Sequence, residues 1–347
     1  MKTRHFGIAL AGLIAASAGA QQPPPPAEPP IDRSIAPYAS LKDSVKLPDG
    51  RSLHFVCMGE GAPTVILTAG LGGDAIDWRM VQPQIAETTR VCAWDRPGFA
   101  LSDGSAQDQS VLTTTADLEA ALAAGPIPGP YVMVGHSLGS YESLLYADRH
   151  PDKVVGMVLV DGSFPNQRAV LEKVASISAE QQAGQNASLA FLRKCAAGLQ
   201  SGAIRPGGPD PERCFDYPHH YPPEFRAALD AKIANPIQYR TLASFLENAD
   251  NAGTLVVNPD RNYGPMPLIV LTGIQPNEFP GITDEQRTQQ AAMAIEWNLG
   301  HDAMAALSTR GVNTRVPGAG HYVQQDKPQV VIDAVETVVA EARAAAR

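Results

Sequence analysis

Apolar and polar positions follow one another along the chain in blocks typical of a sheet that is covered by helices. Short apolar runs without internal alternation predict buried strands, and segments with helical periodicity predict helices at 113–124, after Gly139 and at 330–346. The alternation of the two predicts a mostly parallel α/β sheet. Its strands are expected at 64–68, 90–94, 131–134, 154–160, 267–272 and 312–316, after a hairpin at 45–59 that turns at Asp49-Gly50.

The alternation of predicted strands and helices is interrupted between residues 163 and 263. This stretch holds Ala- and Gln-rich helical pieces and an irregular segment rich in proline and aromatic residues, and the strand pattern resumes at 267. We interpret it as a cap inserted between two strands of one sheet. The predicted organisation is a leader at 1–20, a proline-rich linker at 21–40, an α/β core at 41–162 and 264–347, and the cap at 163–263.

The first twenty residues have the pattern of an export signal. Lys2 and Arg4 precede a short apolar run, and Ala18-Gly19-Ala20 is a suitable cleavage site. The apolar run is too short to predict a membrane span, and no other segment is long and apolar enough for one. We therefore expect an exported protein, periplasmic or secreted, that is cleaved near Ala20 and has no membrane span when mature.

Charge and cysteine content narrow the possible functions. The 347 residues carry a formal charge of -9, so the basic surface that binds nucleic acid is not expected. Cys195 and Cys214 lie close together in the irregular cap, and we expect a disulfide between them. Cys57 and Cys92 lie in candidate strands, where either a disulfide or two buried thiols would fit. The cysteines and histidines lack zinc-ligand spacing.

The clearest chemical motif is the turn Gly135-His136-Ser137-Leu138-Gly139. It follows an apolar strand and precedes a helix, which is the pattern of a nucleophile elbow. In such a turn the nucleophile takes a strained backbone conformation, and the residues two before and two after it must be small. Gly135 and Gly139 meet that requirement, so Ser137 is the predicted nucleophile.

A serine hydroxyl needs a base within hydrogen-bond reach, and histidine suits this role near neutral pH. Of the eight histidines, His321 alone lies in a Gly-flanked loop between the last predicted strand and the last helix. Loops of that kind lie at the carboxyl edge of a parallel sheet, where the elbow also lies. His321 is therefore the predicted base.

The order of these motifs resembles the α/β-hydrolase superfamily over about residues 45–340. The matching segments are TVILTAGLGG, VCAWDRPGFALSDG, VGHSLGSYESLLYADRHPDKVVGMVLVDGS and GAGHYVQQDKP. The resemblance implies a three-layer fold with an eight-stranded, mostly parallel sheet and a helical cap inserted after the sixth strand. It also makes Asp95 a framework residue. Relatives that open epoxides or haloalkanes use an aspartate nucleophile, whereas this elbow carries serine.

The resemblance leaves two candidates for the acid that orients the base. Many relatives carry an aspartate a few residues beyond the position of Gly273, but this loop has Glu278 as its only acidic candidate. Some relatives, such as certain lipases, carry their acid where Asp161 ends the preceding strand. Asp161 is the preferred prediction and Glu278 remains the alternative.

Two backbone N–H groups are expected to bind the negative charge that develops on a substrate carbonyl oxygen. One belongs to Leu138, directly after the nucleophile, and the other to Leu71 in the glycine-containing loop that follows the first parallel strand. Many relatives have His-Gly where this chain has Ala69-Gly70, which removes a supporting side chain but keeps the amide donor.

Together these features predict an exported serine hydrolase that cleaves a small carboxylic ester or related acyl compound without a cofactor. Cleavage of amides, thioesters or carbon–carbon bonds stays open. A ligand-binding relative that turns over poorly is the alternative from another class. The sequence does not name the acyl or alcohol group.

Overall fold

The computed structural model describes residues 29–175, 179–274 and 283–346. The predicted leader lies outside these ranges, as do the first residues of the linker and Glu278. Nine strands occur in them, and they form a two-stranded and a seven-stranded sheet. The strands are β1 (Val45–Lys46), β2 (Ser52–Leu53), β3 (Phe55–Met58), β4 (Thr64–Thr68), β5 (Val91–Trp94), β6 (Tyr131–His136), β7 (Val154–Val160), β8 (Leu268–Ile274) and β9 (Gly311–Pro317).

The large sheet has the order β3-β5-β4-β6-β7-β8-β9, in which only β3 runs antiparallel to its neighbour. The expected α/β class is confirmed. The implied count of eight strands in this sheet is wrong, because β1 and β2 pair only with each other. Consequently the cap follows the fifth strand of the large sheet rather than the sixth. The predicted hairpin forms, with Val45 opposite Leu53.

Helices cover both faces of the sheet, and the apolar side chains beneath them form two large clusters, one on each side. The strand β4 is buried along its whole length, as an uninterrupted apolar run between two helical layers predicts. The helices are α1 (Gln82–Ile85), α2 (Val111–Ala124), α3 (Gly139–Arg149), α4 (Gln167–Leu171), α5 (Ala179–Ser201), α6 (Pro223–Ile233), α7 (Pro236–Ala249), α8 (Ala252–Leu255), α9 (Asp284–Ala305), α10 (Val323–Asp326) and α11 (Pro328–Ala345).

The second half of the segment predicted as a linker packs against the core. A 3-10 helix spans Arg33–Ala39, and its Ile35 and Tyr38 are buried. The Tyr38 hydroxyl donates a hydrogen bond of 2.8 Å to Gln82 in α1. The linker prediction is therefore wrong for these residues, because two apolar side chains within them find a place in the core.

The cap consists of α4 to α8 and is joined internally by Cys195 and Cys214, whose sulfur atoms lie 2.00 Å apart. A small apolar cluster surrounds them. Cys57 and Cys92 stand opposite each other on β3 and β5, with a sulfur–sulfur distance of 2.05 Å. One crosslink therefore holds the cap, and the other holds the antiparallel edge of the sheet.

The cap disulfide gives a prediction about stability. Cys195 and Cys214 are 19 residues apart. A disulfide that closes a loop of this length contributes about 3 kcal/mol to stability, and removing it loses that contribution. We expect the double variant Cys195→Ser/Cys214→Ser to be cleaved by a protease within the cap at much lower denaturant concentration than the parent. Equal cleavage of parent and variant would show that the crosslink does not stabilise the cap.

Candidate active site

The turn between β6 and α3 holds Ser137 at the carboxyl edge of the sheet. Ser137 has φ +50°, a left-handed conformation that costs an L-residue about 1–2 kcal/mol. A Cβ at Gly135 would lie 2.5 Å from the carbonyl oxygen of Gly139, and one at Gly139 would lie 2.4 Å from that of Thr68. Both neighbours must therefore be glycine, which bears out the steric reasoning from the sequence.

Two hydrogen bonds join three side chains in a row: Ser137, His321 and Asp161. The Ser137 hydroxyl lies 2.8 Å from His321 Nε2, and His321 Nδ1 lies 2.6 Å from Asp161 Oδ2. With the Nδ1–H donating to the carboxylate, Nε2 is left as the acceptor for the serine proton. The structure thus brings together, across 184 residues of sequence, a hydroxyl and an imidazole that can deprotonate it.

Asp161 lies directly after β7 and is held by more than the histidine. Its Oδ1 accepts hydrogen bonds from the Gly273 N–H at 3.0 Å and the Trp297 indole N–H at 3.1 Å. Burial raises the pKa of Asp161, but the hydrogen bond from His321 and the nearby imidazole and indole groups lower it, and the net pKa lies below its ordinary value. The carboxylate is therefore ionised and fixed in orientation. The alternative acid, Glu278, lies outside the described residues.

His136, the second residue of the elbow, contacts the backbone of His321, the predicted base. Its Nε2–H donates a hydrogen bond of 2.8 Å to the backbone carbonyl of His321. Burial, followed by the proximity of His321, lowers the pKa of His136 to about 3, so the ring is neutral. A neutral ring with its proton on Nε2 can anchor the loop that carries His321 without competing with it for the serine proton.

The two predicted oxyanion donors, Leu71 and Leu138, lie beside Ser137 in one cavity. Leu138 precedes the first residue of α3, and among the described residues neither amide N–H has a hydrogen-bond partner. The loop before Leu71 approaches the elbow closely, because a Cβ on Gly70 would come within 3.1 Å of the Ser137 Cβ. Both amides are thus available near the nucleophile.

The cavity has a volume of about 350 Å³ and opens between the elbow and the cap. Arg168 at its rim forms ion pairs with Glu172 at 2.7 Å and Asp250 at 2.6 Å. One cation therefore faces two carboxylates, and the rim carries a net negative charge. The cavity is lined by Leu71, Ser137, Leu138, Tyr141, Ser163, Gln167, Arg168, Leu171, Glu172, Ala175, Ala249, Asp250, Gly253 and Met293.

The described ranges contain neither a cluster of metal ligands nor a helix suited to a membrane. Three or more His, Cys, Asp or Glu side chains do not come together there in a group that could hold a metal ion. None of the described helices has the length and apolarity needed to cross a membrane. Asp95 lies apart from the nucleophile and binds His54, at 2.6 Å, and the backbone N–H groups of Ala75 and Leu101, as a framework residue would.

Comparisons with known proteins identify the fold. A solved thermophilic esterase from Thermogutta terrifontis superposes with a TM-score of 0.50 at 18% identity, over 86% of this chain and 98% of that one. Residues 63–198 match the sequence model of a family described as having the alpha/beta hydrolase fold. The chain has the α/β-hydrolase fold. At this identity the structural likeness establishes the fold and nothing finer.

Two curated relatives with higher identity match short parts of this chain. An uncharacterized protein of Schizosaccharomyces pombe is 43% identical over 81 residues, which is 23% of this chain and 15% of that protein. A putative carbamate hydrolase, RutD, of Serratia proteamaculans is 37% identical over 116 residues, which is 32% of this chain and 42% of RutD. The chain thus spans less than half the length of either relative.

Three residues around the site were not predicted from the sequence. Trp297 reaches Asp161 from α9, and Arg96 binds Glu142 beneath the Leu71 loop. The sequence contained a signal for Glu142. An acidic residue in the first turns of the helix after the elbow is expected to be buried, and a buried carboxylate needs a cationic partner. Nothing in the pattern of α9 distinguishes Trp297 from an ordinary packing residue.

Proposed function

We propose that the protein is a serine hydrolase that cleaves small carboxylic esters through an acyl-enzyme on Ser137. The observation that carries the proposal is the row of hydrogen bonds from Ser137 through His321 to Asp161, with distances of 2.8 and 2.6 Å. The same three residue types perform acyl transfer on several unrelated folds, so the geometry rather than the fold supports the activity.

In the proposed reaction His321 Nε2 takes the proton of Ser137 as the oxygen attacks the ester carbonyl. Asp161 stabilises the imidazolium that forms, and the amides of Leu71 and Leu138 bind the oxyanion. When the tetrahedral intermediate collapses, His321 gives its proton to the departing alcohol. A water molecule, deprotonated by the same imidazole, then attacks the acyl-enzyme, releases the acid and restores the serine.

The cavity supports a small and uncharged substrate. Its volume of about 350 Å³ lies at the lower end of the range for ligand pockets, which favours short acyl groups. Glu172 and Asp250 engage the guanidinium of Arg168, so this cation is not free to bind an anionic substrate. RutD is named as a putative carbamate hydrolase, and a carbamate would pass through the same acyl-transfer steps.

Export is also proposed. The basic start, the short apolar run and the Ala18-Gly19-Ala20 site support a cleaved leader, and the two disulfides suit an oxidising compartment. The mature protein should therefore be prepared from residue 21 onward under conditions that keep both disulfides.

The function is tested on this mature form with a fluorophosphonate probe and a set of p-nitrophenyl esters. We expect the probe to modify one residue, Ser137, identified by peptide mass mapping. We expect acetate and butyrate esters to be hydrolysed faster than long-chain esters, and a succinate monoester more slowly than its neutral methyl counterpart. A protein that binds these esters without hydrolysing them, or that is labelled at another residue, would contradict the proposal.

A further inference from the structure

Arg96 is a buried cation directly beneath the loop that carries Leu71. Its side chain is 2% exposed and lies just after β5. The guanidinium donates to the carbonyl oxygens of Ala69, at 2.6 Å, and Gly70, at 3.0 Å. It also donates to both carboxylate oxygens of Glu142, at 2.6 and 2.5 Å. These four hydrogen bonds divide equally between the loop and the carboxylate.

The bond to Gly70 helps to set the direction of the next amide, together with the Gly73 N–H, which donates to the same carbonyl at 3.3 Å. A peptide unit is planar and trans, so the carbonyl of Gly70 and the N–H of Leu71 point in opposite directions from one rigid plane. Because Arg96 Nη1 holds the Gly70 carbonyl on one side, the Leu71 N–H must point to the other side. Gly70 itself lies against the elbow, with an ideal Cβ 3.1 Å from the Ser137 Cβ, and Leu71 lines the same cavity as Ser137.

Glu142 connects this arrangement to the nucleophile. It lies in the first turns of α3, five residues after Ser137, and its side chain is fully buried. Thr114 donates a further hydrogen bond of 2.6 Å to its carboxylate. Two desolvated charges are tolerated because they pair in a fork and nearly all their hydrogen-bonding groups have partners. The pair therefore fixes the Leu71 loop relative to the helix that begins at the elbow.

We propose that Arg96 is a positioning residue that aims the Leu71 N–H at the substrate's developing oxyanion. It replaces the support that Ala69 cannot give, because Ala69 has no polar side chain. The ring of Phe245, in the cap, packs against the guanidinium, with 5.4 Å between Arg96 Cζ and the ring centroid. The cap therefore also contacts this group. This assignment rests on the proposed hydrolase function, since only an acyl-transfer reaction needs the oxyanion site.

The matched control is Arg261, a second buried arginine far from the site. Its guanidinium also binds a carboxylate in a fork, that of Asp148, and one backbone carbonyl, that of Val256. Losing either arginine removes a similar set of interactions and should cost similar stability. Only the loss of Arg96 should affect the oxyanion donor.

The experiment compares Arg96→Lys with Arg261→Lys in the mature protein, at a temperature where unfolding curves show both to be folded. A lysine ammonium cannot bind two carbonyls and both carboxylate oxygens in a fixed plane. Loss of one oxyanion donor costs about 10²- to 10³-fold in kcat. We expect kcat of Arg96→Lys to fall by about 10²-fold with KM changed less than about threefold, and both constants of Arg261→Lys to stay within about threefold of wild type.

Binding of a trifluoromethyl ketone, which resembles the tetrahedral intermediate, should weaken by the same factor as kcat/KM in Arg96→Lys, while binding of the product acid should not change. A folded Arg96→Lys protein with wild-type kcat would overturn the proposal, and so would an equal loss in Arg261→Lys. If Arg96→Lys does not fold, Thr114→Val, which removes one bond to Glu142, should give a smaller loss that is again confined to kcat.

One readout does not depend on ester hydrolysis. Hydrogen–deuterium exchange of a peptide covering residues 69–73 should be faster in Arg96→Lys than in wild type and unchanged in Arg261→Lys. Unchanged exchange in Arg96→Lys would refute the positioning role of Arg96 even in an active enzyme. If wild type lacked hydrolase activity but exchange were still faster in Arg96→Lys, the proposed function would be refuted. The conclusion that Arg96 holds the Leu71 loop would stand.

Discussion

Replacing Ser137 with alanine is expected to lower kcat for p-nitrophenyl acetate by about 10⁵- to 10⁶-fold, which corresponds to about 7 to 8 kcal/mol of transition-state stabilisation. In the proposed mechanism this hydroxyl forms the covalent intermediate, and it lies 2.8 Å from His321 Nε2, the proposed proton acceptor. Without it His321 has no nucleophile to activate except water. The residual rate should come from the oxyanion donors and from binding.

The measurement is steady-state hydrolysis of p-nitrophenyl acetate, together with fluorophosphonate labelling of the same preparations. Ser201→Ala, at the exposed end of α5, is the control and should keep wild-type kinetics and labelling. Thermal unfolding of Ser137→Ala should differ little from wild type, because alanine meets the same φ of +50° and the lost hydrogen bond lies at an exposed edge. Turnover within tenfold of wild type would remove Ser137 from the nucleophile role.

Ser137 and His321, the proposed nucleophile and base, could be selected from the sequence because the requirements of these two roles are local. A strained turn admits only small residues two positions to either side of its centre. The two glycines therefore identify Ser137 without any knowledge of how the strand and the helix pack. His321 is marked in the same way by the glycines of a loop after a strand. The order of the parallel strands then decides that the two loops meet at one edge of the sheet.

The support around them could not be predicted, since it depends on which elements meet in three dimensions. Trp297 approaches Asp161 from a helix that begins more than a hundred residues after β7. Arg96 and Glu142 are 46 residues apart, so their pairing cannot be read from local sequence. The strand count failed for a similar reason. Whether a short strand joins a large sheet or stays in its own hairpin depends on pairing geometry that alternation of apolar residues does not encode.

The buried charges show how the fold and the site constrain each other. Asp161, Arg96 and Glu142 are nearly inaccessible to water, and each would be strongly unfavourable if left unpaired. In the structure each has several directed partners, so orientation and stability come from the same hydrogen bonds. A substitution that leaves one partner unpaired should therefore affect both, and controls with matched loss of stability are needed to separate them.

Replacing Asp161 with asparagine is expected to lower kcat by about 10³- to 10⁴-fold, as loss of the carboxylate does in other enzymes with this arrangement. Its Oδ1 already accepts from Gly273 and Trp297, so the asparagine oxygen is expected to stay there and the amide NH₂ to face His321. An NH₂ donor forces Nδ1 of His321 to accept, which moves the ring proton to Nε2. The proton then points at Ser137, and the imidazole cannot act as its base.

The same variant has a predictable effect on stability with pH. The pKa of Asp161 is lowered in the folded protein from 3.8, so its ionised form favours folding. This contribution is fully present above the unfolded pKa and is lost as the pH falls through the folded value. Urea unfolding should therefore show wild type to be more stable than Asp161→Asn at pH 7, with a gap that narrows below about pH 4.

Two further variants make the kinetic result specific. Asp302→Asn changes an exposed carboxylate that is bound to Asn313 and Arg315, and it should keep kcat within about threefold of wild type. Glu278→Gln tests the alternative acid and should also leave kcat nearly unchanged. If Glu278→Gln instead lost three orders of magnitude while Asp161→Asn kept most of its activity, the orienting carboxylate would have to be reassigned to Glu278, and the hydrogen bond of 2.6 Å between Asp161 and His321 would be structural only.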